Sequence, residues 1–458
     1  MTATIAWPQA LAAAQRLVAH PASVAEIVDS ALATAPCFRN RDFPLSPLPV
    51  LVRDQAAQAL RPLLEGYVAL LGDVVRHHRE HAEVRAWFGL PDAAERLIAA
   101  DRGPGDAPWV CRLDGYLEEG SERLVLLENN ADAPAGTLFT SRVNELVAQV
   151  SDQVAGERTC RLAPLTYQGP DRFLMSLRHA AGAAAALTPG KAGEVQRLAI
   201  LQPEGAANRE SLEMAAEFAA RGVDAFVADP RDLRVAAGQA RFGSRRADMC
   251  WNKVNTVAWN TMATDPELVA TWERALRDTS MVHINPFGSR YVAENKLSLA
   301  FVQEPRFAGL FSDAQRELAT ALLPWTRRVT TDTTGPDGET PLVDDLLERQ
   351  GGYVLKEPYD IRGDGVTIGD GVPRTVWRAA VRRAADNGHI AQARIKPLRY
   401  PVLSAGSERI ATMAISLDTY LLGGRMAGFG SKASHNVKIN IFQGGRKLAV
   451  HVLPGDHS

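Results

Sequence analysis

The sequence predicts a mixed α/β chain of the α+β kind, and three observations carry that reading. Apolar residues recur at three- and four-residue spacing through the first hundred positions, as in Leu60, Leu63, Leu64, Val68 and Leu71, which is the helical period. Near Arg197 the texture becomes a β-α-β rhythm: LAILQP, then SLEMAAEFAARG with a glycine at the helix end, then VDAFVADP. From HIAQARI to KLAVHVL the chain closes on a series of strand-like segments. The chain has 458 residues, and at about 150 residues per domain that allows roughly two to four domains.

Taken in order, residues 1–100 read as a helical region that packs on the remainder. Their opening, MTATIAWPQALAAAQRLVAHP, lacks a basic start, and Gln9, Gln15 and Arg16 break its apolar run, so it reads as an amphipathic helix rather than an export signal. Residues 101–194 begin with the Gly- and Pro-rich loop Asp101–Pro108. Two strand-like runs follow, Trp109–Asp114 and Arg123–Asn130, joined as a hairpin by GYLEEGSE. ADAPAG then breaks the pattern before a helix from Thr137. Residues 195–290 form an inserted α/β unit, continued by ADMCWNKV and PELVATWERALRD. The last stretch, residues 291–458, is entered through NPFGSRYVAENK, a turn leading into a helix. It continues with the surface loop TTDTTGPDGET, the strand GYVLKEP, a glycine-rich loop to Gly371 and a helix over Val376–Asn387.

Composition removes several function classes. The 51 basic and 53 acidic side chains leave a net charge of -2, against a polyanion-binding surface over the whole molecule. Arg378, Arg382 and Arg383 lie at helical spacing without interleaved aromatics and read as an exposed face, so no nucleic-acid partner is expected. No stretch approaches the ~18 uncharged apolar residues of a membrane span. Cys37, Cys111, Cys160 and Cys250 form no CxxC pair, which excludes a disulfide scaffold or cysteine-rich zinc module and fits a reducing compartment. The expectation is a cytoplasmic protein without a membrane partner; a homodimer is left open. His77 and His81, four apart in HHREH, have no third ligand in view and read as a solvated helix face.

The chemistry concentrates in two places. Residues two apart on a strand face the same side, so Arg112 shares a face with Asp114, and Glu128 with Asn130, with Asp132 extending the row. If the arms pair with these faces together, one guanidinium, two carboxylates and an amide oxygen converge, a hard-oxygen set suited to Mg²⁺ with phosphate oxygens. A surface hairpin with solvated charges is the competing reading of the same residues. The second place is GYVLKEPYDIRGDGVTIG, where a strand ends in Lys356 and a loop carries Gly363, Gly365 and Gly369. Glycines let backbone N–H groups approach a phosphate. It is neither a Walker A loop nor a G-x-G-x-x-G fingerprint, and GRMAGFGSKAS has Gly-Ser-Lys in the wrong order for a P-loop.

With these blocks in order, the chain resembles the circularly permuted ATP-grasp ligases related to eukaryotic glutathione synthetase and to the synthetase domain of glutathionylspermidine synthetase. The likeness rests on Arg112-x-Asp114, Glu128-x-Asn130, NPFGSRYVAENK with Lys296, YVLKEPYDIRGDGVTIG, and the HIAQARI and GRMAGFGSKASHN segments, from about residue 109 onward. It implies an ATP-grasp fold in permuted order, with a Rossmann-like insert and ATP bound with two Mg²⁺. Residues 101–194 would then hold the metal site and residues 291–458 the nucleotide. It further implies metal ligands at Asp114, Glu128, Asn130 and Asp360, and Arg112 acting on the phosphoryl-transfer transition state. Lys296 and Lys356 would contact phosphates, with Gly363 and Gly365 in a lid above them and Gln392 and Arg394 beside adenine. The lid departs from the family, since GDG replaces a richer glycine run.

The reaction so implied transfers the γ-phosphate of ATP to a substrate carboxylate, after which an amine attacks the acyl phosphate and an amide forms. For the substrate, the ADAPAG turn at Ala133 and Gly136 would offer backbone N–H groups to a carboxylate. Asp132 would bind an amino group, and Lys432 or Arg425 would face the acyl part. These fit small amino acids or peptides, and the relatives favour a γ-glutamyl or dipeptide product. A small-molecule kinase on the same scaffold and a non-catalytic ATP-binding protein are the alternatives.

Overall fold

The computed structural model describes residues 3–34, 44–155, 169–205, 209–360, 363–436, 438–439, 441 and 444–454. Cys37 and Cys160, and Ile361 and Arg362 of the glycine-rich loop, lie outside these residues. An eight-stranded sheet forms the centre. Its strands run in the order Leu45–Arg53, Arg446–Leu453, Arg425–Ser434, Leu417–Leu422, Val110–Leu117 and Leu124–Asn130, with Ile410–Ile415 and Arg399–Leu403 branching from Arg425–Ser434. The hairpin singled out in the sequence is thus the edge of this sheet.

The first hundred residues are not helical throughout. LSPLPVLVR is a strand, and it pairs in parallel with the strand near the other end of the chain, Val50 opposite Val450 and Arg53 opposite Leu453. An apolar run without alternation does not distinguish strand from helix, and Pro47 and Pro49 argue against an interior strand. The position at the opposite sheet edge reconciles them. Around it pack helices Trp7–Ala19 and Pro21–Thr34 and the 27-residue helix Asp54–Glu80. The long helix turns Leu64, Tyr67, Val68, Leu71, Val74 and Val75 inward. At its last turn His77 and His78 are buried as well, so HHREH is only partly a solvated face.

The inserted unit is a four-stranded parallel sheet, ordered Val282–Ile284, Met249–Asn252, Arg197–Leu201 and Asp224–Ala228, with helix Arg209–Ala219 as the crossover. A second four-stranded sheet is antiparallel: Thr326–Arg328, Ile390–Ala393, Tyr353–Lys356 and Val366–Ile368. Helices Leu342–Glu348 and Arg374–Asn387 cover it with Leu342, Leu346, Trp377 and Val381. Gly388, in the left-handed region at φ 61°, ends the latter helix. NPFGSRYVAENK is a buried turn of helix in which Arg290, Asn295 and Lys296 are almost wholly inaccessible. Among the described residues no helix is long and apolar enough to cross a membrane.

Candidate active site

In the hairpin Arg112 stands opposite Asn130 and Asp114 opposite Glu128, so the four side chains share one face. Arg112 donates to Asp114 through Nε to Oδ1 at 2.6 Å and Nη2 to Oδ2 at 3.1 Å, and Nη2 reaches Asn130 Oδ1 at 3.1 Å. Asn130 Nδ2 returns a bond to Asp114 Oδ1 at 3.0 Å. A register shift follows Asp114, where Leu127 is the extra residue of a bulge. Its carbonyl is thereby available to Lys356, whose Nζ donates to it at 2.7 Å.

The neighbouring strand adds a residue that the sequence reading missed. Asp418 pairs in register with Asp114, and Lys432 bridges the two carboxylates at 2.8 Å and 3.0 Å. Burial alone would raise the Asp114 carboxyl, but Arg112 and Lys432 outweigh it and hold it far below the usual carboxylate range. Burial, and then the charge of Asp114, push Asp418 up. Against its burial, the same two carboxylates raise the Lys432 ammonium. Asp418 Oδ1 is buried without a hydrogen-bond partner among the described residues.

A second cluster adjoins the first. Lys296 ion-pairs with Glu128 Oε1 at 3.0 Å and with Asp360. Burial opposes its charge, yet Glu128 and Asp360 raise its pKa. Among the described residues Lys356 has no such close pair, and burial brings it down to about 8. Asp360 Oδ2 is buried and unpartnered among the described residues. Behind it Gly365 has no room for a side chain: an added Cβ would lie 2.8 Å from Asp360 Cβ.

On the substrate side the structure departs from expectation. The amides of the ADAPAG turn are not open to an outside carboxylate, because Glu210 fills them. Its Oε1 accepts from Leu138 N at 2.9 Å and its Oε2 from Gly136 N at 3.2 Å, and Lys253 neutralises it at 2.9 Å. Ala133 N donates to the carboxylate of Asp132, whose other oxygen accepts from Thr256 N at 2.8 Å and Thr256 Oγ1 at 3.1 Å. Asp132 is therefore buried within the framework. Arg425 lies away from the cluster, strongly exposed and paired with Glu65 at 2.9 Å; its strand starts at that residue, beyond the buried part that carries Lys432. Asn252 is taken up by Trp259 and His283, and Asn255 caps a helix.

Gln392 is buried on the second sheet, bonded to Thr326, and Arg394 pairs with Asp370. Gly363, at φ 77°, gives its carbonyl to Lys438 Nζ at 2.9 Å, which ties the glycine-rich loop to the chain after Lys432. One further cation escaped the sequence reading. Lys447 Nζ lies 3.2 Å from Thr140 Oγ1, and Thr140 Oγ1 in turn bonds Tyr420 Oη at 3.0 Å. Among the described residues no carboxylate lies within ion-pair distance of Lys447, and burial lowers it to about 8. Asp418 in LDTYLL and Lys447 in RKLAVHVL belong to no spacing motif, so nothing short of the pairing pattern reveals either.

Asp114, Glu128, Asn130 and Asp360 are hard oxygen donors, and the lone oxygen of Asp360 is unsatisfied without a further partner. The set fits Mg²⁺. No family model matches the chain, and no curated protein matches it. Among solved structures it is similar to a glutathione synthetase-like effector of Globodera pallida in its apo form, with TM-score 0.62 and 11% identity over 94% of this chain and 97% of that one. Two weaker likenesses are a putative gamma-glutamylcysteine synthetase from Methylobacillus flagellatus KT (TM-score 0.41, 11% identity, 84% and 88% covered) and a RimK domain ATP-grasp protein from Sphaerobacter thermophilus DSM 20745 (TM-score 0.27, 16% identity, 52% and 91% covered). The chain shares the overall fold of that glutathione synthetase-like effector.

Proposed function

We propose that a chain with this fold is an ATP-dependent carboxylate–amine ligase, joining small amino acids or peptides through an acyl phosphate. The observation that carries the reading is the convergence of Arg112, Asp114, Glu128 and Asn130 on one sheet face, against Lys296, Lys356 and Asp360. Lys296 and Lys356 would hold the phosphates of ATP. Asp114, Glu128, Asn130 and Asp360 would hold Mg²⁺, which shields phosphate charge when bound.

Arg112 would meet the charge that develops as the phosphoryl group moves; its guanidinium, held by Asp114 and Asn130 before substrate arrives, supports that role. The loop from Gly363 to Gly369 would cover the phosphates and keep water from the acyl phosphate. With the ADAPAG amides occupied, the acid substrate needs another anchor. Lys447, an ammonium without a carboxylate partner among the described residues, is the group we assign to its free carboxylate, beside Arg112 and Lys432. The product would be a dipeptide or γ-glutamyl amide.

The test is a panel of amino acids and small peptides, read by ADP release and by product mass. Amide formation predicts ADP release that requires both an acid and an amine, with a product lighter than their sum by one water. A product heavier by a phosphate would replace the ligase with a kinase. Arg112→Ala is expected to lower kcat by about 10²–10³-fold, and an undiminished rate would remove Arg112 from the chemistry.

A further inference from the structure

The last turn of helix Asp54–Glu80 and the residue that follows it carry His77, Glu80 and His81, at relative positions i, i+3 and i+4. That spacing stacks three side chains on one helical face. Counted as single donor atoms, the two imidazoles and the carboxylate all lie within 4.8 Å of one another. The two rings stand 5.6 Å apart, centre to centre. In sequence the histidine pair lacked a third ligand, and the fold supplies it from inside the same motif.

A second observation is independent of the clustering. His77 is 6% exposed, and its Nδ1 is shut away from solvent with no hydrogen-bond partner among the described residues. An unsatisfied buried nitrogen is costly, and a metal ion is one partner that removes the cost. The ring is also held in place, edge-on against Phe311 at 5.4 Å. We propose that His77, Glu80 and His81 form a binding site for a divalent transition-metal ion of the zinc class, separate from the Mg²⁺-type oxygen cluster of the hairpin.

Two imidazoles and one carboxylate suit zinc, with water in the remaining position. Bonds of about 2.0–2.1 Å place tetrahedral donors roughly 3.3 Å apart, so the half-exposed His81 and the exposed Glu80 rotate inward while His77 stays fixed. Their competitor is Arg76, whose Nη1 is 3.8 Å from Glu80 Oε2, with both side chains about half exposed at 46% and 53%. A contact of that kind is worth little. His81 is also the first residue of the junction to helix Ala82–Phe88. The ion would therefore fasten the end of the long helix to the next one, and bound metal would raise thermal stability by mass action.

The experiment uses the full chain without an affinity tag, dialysed against Zn²⁺ in a large excess of Mg²⁺, with metal counted per chain. A parallel Co²⁺ titration reads the visible absorption of the coordinated ion. The expected result is one zinc per chain, a Co²⁺ band typical of nitrogen–oxygen ligation, and a rise in Tm on adding Zn²⁺. His81→Gln and Glu80→Gln, both at accessible positions, should each weaken binding at least about tenfold. His77→Gln should abolish it, and the two accessible variants keep the test open should that buried change impair folding. Binding that persists unchanged in both His81→Gln and Glu80→Gln, or no stoichiometric zinc in the presence of Mg²⁺, overturns the proposal.

Discussion

Lys356 sits against the bulge carbonyl of Leu127 with its pKa brought down by burial to about 8. Only its charged form attracts phosphate. ATP affinity is therefore expected to be flat below pH 8 and to weaken above it, approaching tenfold per pH unit. Lys356→Arg, which keeps its charge, should flatten the curve. A nucleotide-binding titration from about pH 6.5 to 9.5 reads both, and pH-independent affinity in the unmodified chain would count against a phosphate role. The linkage has a definite sign. The unfolded chain keeps this proton up to about 10.4, so the cost of burying the charge is fully present below pH 8 and is relieved as pH rises through that window. Asp114 was legible beside Arg112, and Glu128 beside Asn130, because strand alternation puts each pair on one face, and the hairpin pairing then joins the two faces. Asp418 and Lys447 were not, because their roles depend on which distant strands become neighbours. Arg425 misled for the same reason: seven residues before Lys432, it lies at the exposed start of the strand.

Among the elements, the second sheet shows how closely the backbone approaches itself around the glycine-rich loop. A Cβ at Gly369 would fall 1.8 Å from the carbonyl oxygen of Gln350, whereas one at Gly371 would meet Ile368 Cβ at an ordinary 3.7 Å. Gly369→Ala is expected to destabilise by about 1–3 kcal/mol and to lower Tm measurably, while Gly371→Ala leaves it nearly unchanged. Equal Tm values for the two variants would contradict the close approach. The helices, the parallel insert and the hairpin were readable from periodicity. The strand Leu45–Arg53 was hidden by two prolines that only an edge position tolerates. The occupied ADAPAG turn was hidden too, since its occupant, Glu210, comes from a helix some seventy residues further on, as its 72-residue separation from Leu138 shows.

For the whole molecule, the central sheet binds the two halves of the chain together. Leu45–Arg53 shields the outer side of Arg446–Leu453, which pairs with the strand bearing Lys432. Removing residues 1–53 should therefore expose a buried edge that carries Leu448, Val450 and Val452. The expected outcome is aggregation or loss of cooperative unfolding by circular dichroism; a soluble, cooperatively folding truncation would show the first strand to be dispensable. The same pairing has a consequence in time. Parallel partners some four hundred residues apart meet only after the residues between them have been made, which at about 5–20 residues per second is a wait of roughly 20–80 s. Through that interval the first strand, apolar and without its partner, is the segment most open to other chains, and it is the prolines at its edge that make it a poor template for them.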